Sequence, residues 1–98
     1  MLESDERLIF SLCSDRLSIE AIPKRPLRID FDGIKKELEE KYRVLMWTPY
    51  FVVLGITSGV EEITLRKDGR MIIRKAVSDK TARSEAIRLL RLLDAVAK

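Results

Sequence analysis

Few residues in this chain could act on a ligand, and their types point to charge rather than to bond-making. Asp30 and Asp32 stand two apart with Phe31 between them, a spacing that could bring two carboxylate oxygens near a magnesium ion. At a junction between an extended segment and a helix, the same pair serves to cap the helix and close the turn, and that role is favoured. Glu37, Glu39 and Glu40 read as a solvated acidic helix face. Cys13 would be nucleophilic only if a cation or a helix N-terminus stabilised its thiolate. With no histidine anywhere in the 98 residues to act as a base, a small buried or half-buried thiol is expected instead. Gly55 and Gly59 lack the following Gly-Lys-Ser/Thr, or the third glycine, that phosphate-cradling loops require. No catalytic residue, metal site or cofactor is expected, and the chain reads as a non-enzyme.

Positive charge is the remaining resource. Arg66, Lys67, Arg70, Arg74 and Lys75 cluster along one predicted hairpin against Asp68. Such a cluster would neutralise phosphates and release counterions, giving salt-sensitive nucleic-acid binding. Basic side chains on strands also deter sheet-to-sheet aggregation, so a merely soluble edge is the rival reading. Arg83, Arg88 and Arg91 project from the outer arc of a predicted terminal helix and are candidates for docking a protein partner. Four of the six aromatic residues, Tyr42, Trp47, Tyr50 and Phe51, fall within ten positions. Exposed rings of this kind stack on unpaired bases or anchor a partner. Tyr42 and Phe51 favour the core, whereas Trp47 and Tyr50, on either side of Pro49, stand between core and partner surface. The interleaved Gly and aromatic motif of RNA-recognition sheets is absent, as is the GxxG loop of KH domains.

Composition narrows the setting. Hydrophobic residues at 46% suffice for one core, and charged residues at 36% exceed the usual quarter, which argues for one folded domain over residues 1–98 with a densely charged surface. The chain has no His, Asn or Gln and is rich in Leu, Ile, Arg, Lys and Glu, a pattern associated with thermophile sources. A lone cysteine can form no intramolecular disulfide, so a cytoplasmic setting fits. No apolar run approaches the roughly 20 residues of a membrane span. Residues 1–59 carry nine basic and ten acidic groups, and residues 60–98 carry ten basic and six acidic, so the net charge of +3 is a C-terminal excess.

The elements that must position these residues follow from periodicity. Leu8, Phe10 and Leu12 alternate as in a strand, although Ser4, Asp5 and Glu6 could instead cap a helix whose face holds Leu8, Ile9, Leu12 and Cys13. Leu17, Ile19 and Ala21 alternate as in a half-buried strand that Pro23 and Pro26 end. A basic loop, Lys24-Arg25-Pro26-Leu27-Arg28, leads through a short extended piece to a helix beginning near Asp32. That helix carries a stripe of Ile34, Leu38 and Tyr42, with Glu37 and Lys41 paired on its wet side. Residues 43–48 and 50–57 read as strands interrupted at Pro49. Asp68-Gly69 then predicts a two-residue hairpin turn, with Lys67 opposite Arg70, Leu65 opposite Ile72 and Ile63 opposite Arg74. On this register the Leu65 and Ile72 face meets the helices, while Met71 and Ile73 lie on the open face and, with Trp47 and Tyr50, offer a homodimer surface. A last helix, capped by Ser78 or Asp79, buries Ala82, Ala86, Leu89, Leu90, Leu93 and Ala97. The expected architecture is an α+β two-layer sandwich, a mainly antiparallel sheet of about five strands with two helices on one face.

From Val60 onward, the strand, Asp68-Gly69, the strand ending at Ala76, and Ala82-Arg83 and Leu90-Arg91 on the terminal helix resemble the smallest, dimer-forming subunit of the archaeal KEOPS complex. That complex places threonylcarbamoyl on transfer RNA. The resemblance implies a non-catalytic subunit that pairs with itself, docks on a catalytic partner through its helices and helps hold transfer RNA, with Arg83 and Arg91 matching the family's two helix arginines. Ile87-Arg88 stands where that family commonly has Asn-Ser, and the stretch from Trp47 to Val60 is longer than usual. The order strand, helix, three strands, helix also resembles half of a TATA-binding protein, in fold only. The expectation is therefore an accessory or binding subunit in RNA metabolism that contacts a protein partner and transfer RNA through a basic C-terminal surface; the alternative is a protein-binding homodimer with no nucleic-acid role.

Overall fold

The alternation read in the strands is realised as one sheet with a dry face and a wet face. The computed structural model describes residues 7–12, 18–55 and 60–96. In chain order the elements are β1 (Leu8–Leu12), β2 (Ser18–Pro23), α1 (Phe31–Lys41), β3 (Arg43–Trp47), β4 (Phe51–Gly55), β5 (Glu62–Arg66), β6 (Met71–Arg74) and α2 (Asp79–Val96). The expected roles of Ser4, Asp5, Glu6, Cys13, Leu17, Gly59 and Ala97 lie outside the described residues. The strand reading of residues 8–12 holds over the helical alternative.

The six strands among the described residues pair antiparallel in the order β1-β2-β6-β5-β4-β3, one strand more than expected. Two rows of apolar side chains cross the dry face in register: Ile19, Ile73, Ile63 and Leu54, then Ala21, Met71, Leu65 and Val52. Apart from Ile19 at 8%, every one of these is fully inaccessible to solvent. Burying a residue of this kind is worth about 1.5–3 kcal/mol, so these rows fix which side of the sheet the helices cover. Both helices lie there, touching each other as well as the strands. The start of α1 lies beside the end of α2, around Gly33, Ile34, Leu93 and Asp94.

The hairpin corrects the expected register. The Arg66 N–H donates to the Arg70 carbonyl (2.8 Å), and the Gly69 N–H donates to the Arg66 carbonyl (3.0 Å). Lys67, Asp68 and Gly69 therefore form a three-residue loop, in which Gly69 alone takes a positive φ, 94°. The Asp68 carboxylate accepts from the Arg70 N–H at 3.0 Å and holds the turn. Such a loop needs one left-handed residue where a two-residue turn needs two. Slipping β6 by one position turns over every side chain on it. Leu65 faces Met71 and Thr64 faces Ile72, so Met71 and Ile73 lie beneath the helices and are removed from the proposed homodimer face. Ile72, Arg70 and Arg74 come to the open face instead.

The helices match their stripes with small differences. α1 starts at Phe31, one residue earlier than expected, and Asp30 occupies its N-cap without a side-chain capping bond. Asp32 in its first turn and Lys41 in its last suit the helix dipole. The expected Glu37–Lys41 pair does not form. Lys35 pairs with Glu39 instead, and Glu37 Oε2 is buried without a hydrogen-bond partner. α2 is capped by Ser78, whose Oγ accepts from the Thr81 N–H at 3.0 Å. Its expected face is buried at Ala82, Ala86, Leu89, Leu90 and Leu93, joined by Ile87 and Glu85. No helix among the described residues is long and apolar enough to cross a membrane.

Tyr42, at the end of α1, is held partly in the core. Burial foremost, then the Glu85 carboxylate, raises its phenol above the ordinary 10.0, against an opposing effect of Arg88. A raised folded-state value means that the unfolded chain ionises first, so stability is intact below about pH 10 and declines as pH rises through and beyond that value. Unfolding by denaturant at stepped pH should show this decline in the native chain and a smaller one in Tyr42→Phe.

Candidate nucleic-acid interface

Three segments far apart in sequence meet at one end of the sheet. The Leu27 N–H donates to the Asp68 carbonyl (2.9 Å) and the Ile29 N–H to the Lys67 carbonyl (3.1 Å), which lays the 24–28 loop against the hairpin tip. The Lys67 N–H in turn donates to the Tyr50 carbonyl at 3.0 Å and ties the tip to the turn between β3 and β4. Within that turn the Thr48 hydroxyl accepts from the N–H groups of Phe51 (2.9 Å) and Tyr50 (3.2 Å) and donates to the Phe51 carbonyl (2.7 Å). Its donor and both acceptor positions are used, so the turn is fixed.

The five basic residues expected on the hairpin separate into two groups. Arg66 and Lys67 are exposed at the tip and form no ion pair among the described residues. Arg70 is near them but is shared between Glu20 (3.5 Å) and Asp68 (4.0 Å). Arg74 pairs with Glu62 at 2.9 Å and Lys75 with Glu61 at 3.4 Å. Four residues of strand at about 3.4 Å each place these two roughly 14 Å from the tip. Lys75 leaves the strand with a left-handed φ of 53°.

The tip gains one cation from the docked loop, Arg28, which lines a cleft together with Lys67. Lys24, Arg25 and Arg28 are all exposed and without ion pairs among the described residues, but Lys24 and Arg25 line a separate cleft with Arg7, Leu90 and Asp94. The loop's basic run was plain in the sequence, but its docking depends on two backbone hydrogen bonds that no pattern announces. Aromatic groups accompany the charge. Tyr50 is 76% exposed. Phe51 departs from its expected core position: paired opposite Arg66, it sits half-buried on the open face because its neighbour Val52 takes the dry side.

Trp47 takes the intermediate course. It packs at the edge of the core against Phe31, with ring centroids 5.9 Å apart and planes at 65°, and Lys35 Nζ stands 5.5 Å from its ring centroid. It also lines a cleft of about 570 Å³ together with Arg28, Asp30, Asp32 and Lys67. Among the described residues no three carboxylate or thiol groups gather as a metal site would need.

The helix arginines lie in the other layer. Arg83 donates to Asp79 at 2.8 Å and stacks over Phe10 at 4.9 Å. Arg88 pairs with the buried Glu85 at 3.4 Å. Arg91 is exposed and has no ion pair among the described residues. Arg66, Arg70 and Arg74, by contrast, project from the face of the sheet that the helices leave open.

The end surface thus combines three cations without acid partners among the described residues, Arg28, Arg66 and Lys67, with an exposed Tyr, a half-buried Phe and a mixed cleft, held by backbone hydrogen bonds. No family model, curated protein or solved structure matches this chain.

Proposed function

We propose that the chain is a non-catalytic RNA-binding or accessory subunit that meets nucleic acid through the end of the sheet built around the hairpin tip. The observation that supports this most directly is the convergence of Arg28, Arg66 and Lys67 at that tip without neutralising partners among the described residues. Unpaired cations contribute more to phosphate binding than paired ones, because a cation already bound to a carboxylate must first be released from it. Tyr50 and Phe51 beside them supply flat apolar area for stacking on unpaired bases. The resemblance to the small archaeal KEOPS subunit supports transfer RNA as the species and a larger protein as the partner, with Arg91 the helix arginine best placed to dock.

Titration of transfer RNA, and of an unstructured RNA, at stepped salt concentrations tests this. Three phosphate contacts predict a slope of log affinity against log salt of about −2 on a single strand. Absent binding, or an affinity indifferent to salt, removes the RNA reading.

A protein-binding homodimer is the second reading. It is favoured by Leu45 and Met46 of β3, 51% and 52% exposed beside the bulge in that strand, together with Tyr50. A strict monomer in sedimentation at high concentration excludes it.

A further inference from the structure

We propose that the cleft beside the start of α1 receives an unpaired guanine, so that this surface prefers guanine-containing single strands. The inference deepens the RNA reading and rests on it. The cleft measures about 570 Å³, within the range of about 300–1,000 Å³ typical of small-ligand sites. Three kinds of group line it, and together they describe a ligand. Trp47, braced edge-on by Phe31, offers an aromatic wall. Arg28 and Lys67 offer positive charge, and Asp30 and Asp32 offer carboxylates; none of the four forms an ion pair among the described residues.

A purely anionic ligand would meet the two carboxylates, and a purely cationic one would meet Arg28 and Lys67. The complementary molecule is flat, carries N–H donors on one edge and negative charge on another part. A nucleotide has this form. Among the four bases, guanine alone sets two adjacent donors, N1–H and N2–H, on its pairing edge, which match the two oxygens of an ionised carboxylate that can only accept. Adenine and cytosine put a lone pair beside their amino group, where a carboxylate repels it. Uracil has one donor between two carbonyls. The phosphate then falls to Arg28 and Lys67. Both are offered from backbone fixed by the bonds of Leu27 and Ile29 to the hairpin tip and of Lys67 to Tyr50, so little ordering is needed on binding.

Trp47 is the chain's only tryptophan, so its fluorescence reports on this cleft. GMP should quench it saturably, at concentrations about tenfold or more below those needed with AMP, CMP or UMP, the discrimination that a bidentate base contact gives. A short guanine-containing RNA should likewise bind more tightly than an all-uridine strand of equal length. The Asp30→Asn, Asp32→Asn double variant keeps an N-cap residue of equal quality and should lose the guanine preference while still binding RNA. Equal quenching by all four nucleotides, or a preference retained in the double variant, overturns the cleft assignment and leaves the RNA reading standing. Failure of every RNA to bind overturns both.

Discussion

Gly69→Ala should lower stability by about 2–4 kcal/mol, the sum of a strained backbone and a crowded contact. For a domain of this size that is a fall in melting temperature of roughly 10–30 °C. The φ of 94° at Gly69 belongs to a region that side chains with a Cβ rarely enter, and a Cβ built there would stand 2.8 Å from Leu27 Cδ1 and 3.0 Å from Pro23 Cγ. The two costs are separable. Leu27→Ala combined with Gly69→Ala removes the closest contact and leaves the strain and the contact with Pro23, so the double variant should be destabilised by less than the sum of the singles. Thermal unfolding followed by circular dichroism measures all three proteins. A melting temperature unchanged by Gly69→Ala would contradict both the three-residue loop and the docking of the 24–28 loop upon it. Because that docking also brings Arg28 to the cleft, the single variant should weaken RNA binding as well.

Arg66→Glu with Lys67→Glu should reduce RNA affinity about a hundred-fold, at about 1.5 kcal/mol for each charged hydrogen bond to phosphate that is removed. The salt slope should become shallower by about 1.4, since each phosphate neutralised on a single strand contributes about 0.7. Both side chains are exposed and without ion pairs among the described residues, so folding stability should change by no more than about 0.5 kcal/mol per site. Arg74→Ser is the informative comparison, because Arg74 is already held by Glu62 and stands away from the tip. It should leave RNA affinity nearly unchanged. Equal reductions from Arg74→Ser and from the tip variants would spread the interface along the whole hairpin.

Periodicity made the layers legible. Alternation in residues 8–12, 18–23 and 62–66, and the stripes of Ile34 with Leu38 and Ala82 with Ala86, Leu89 and Leu93, are direct imprints of which side each residue turns to the core. Register was less legible. Asp68-Gly69 satisfies a two-residue and a three-residue closure alike, and the choice is made by Met71 and Ile73 filling the space between Ala21, Ile19 and the helices. The burial of Glu85 and Ile87 was hidden for a related reason, since neither lies at the centre of the helix stripe. For the candidate site, the charges at Arg66 and Lys67 were visible, whereas Arg28, Asp30 and Trp47 share a cleft only through the meeting of distant segments. Charge counting along the chain also could not show that Arg70, Arg74, Lys75, Arg83 and Arg88 each have an acid within reach.

The placing of β6 between β2 and β5 bears on how the molecule comes into being. The strand that joins the two parts of the sheet follows all the others in the chain, and its pairing with β2 spans roughly fifty positions. Until Met71–Arg74 is available, the first hairpin and the β3-β4-β5 meander are separate pieces with open facing edges. Closure waits on a long-range encounter, which slows folding relative to a helical bundle. A nascent or truncated chain stopping short of Met71 would hold two unjoined half-sheets, each ready to pair with the wrong neighbour.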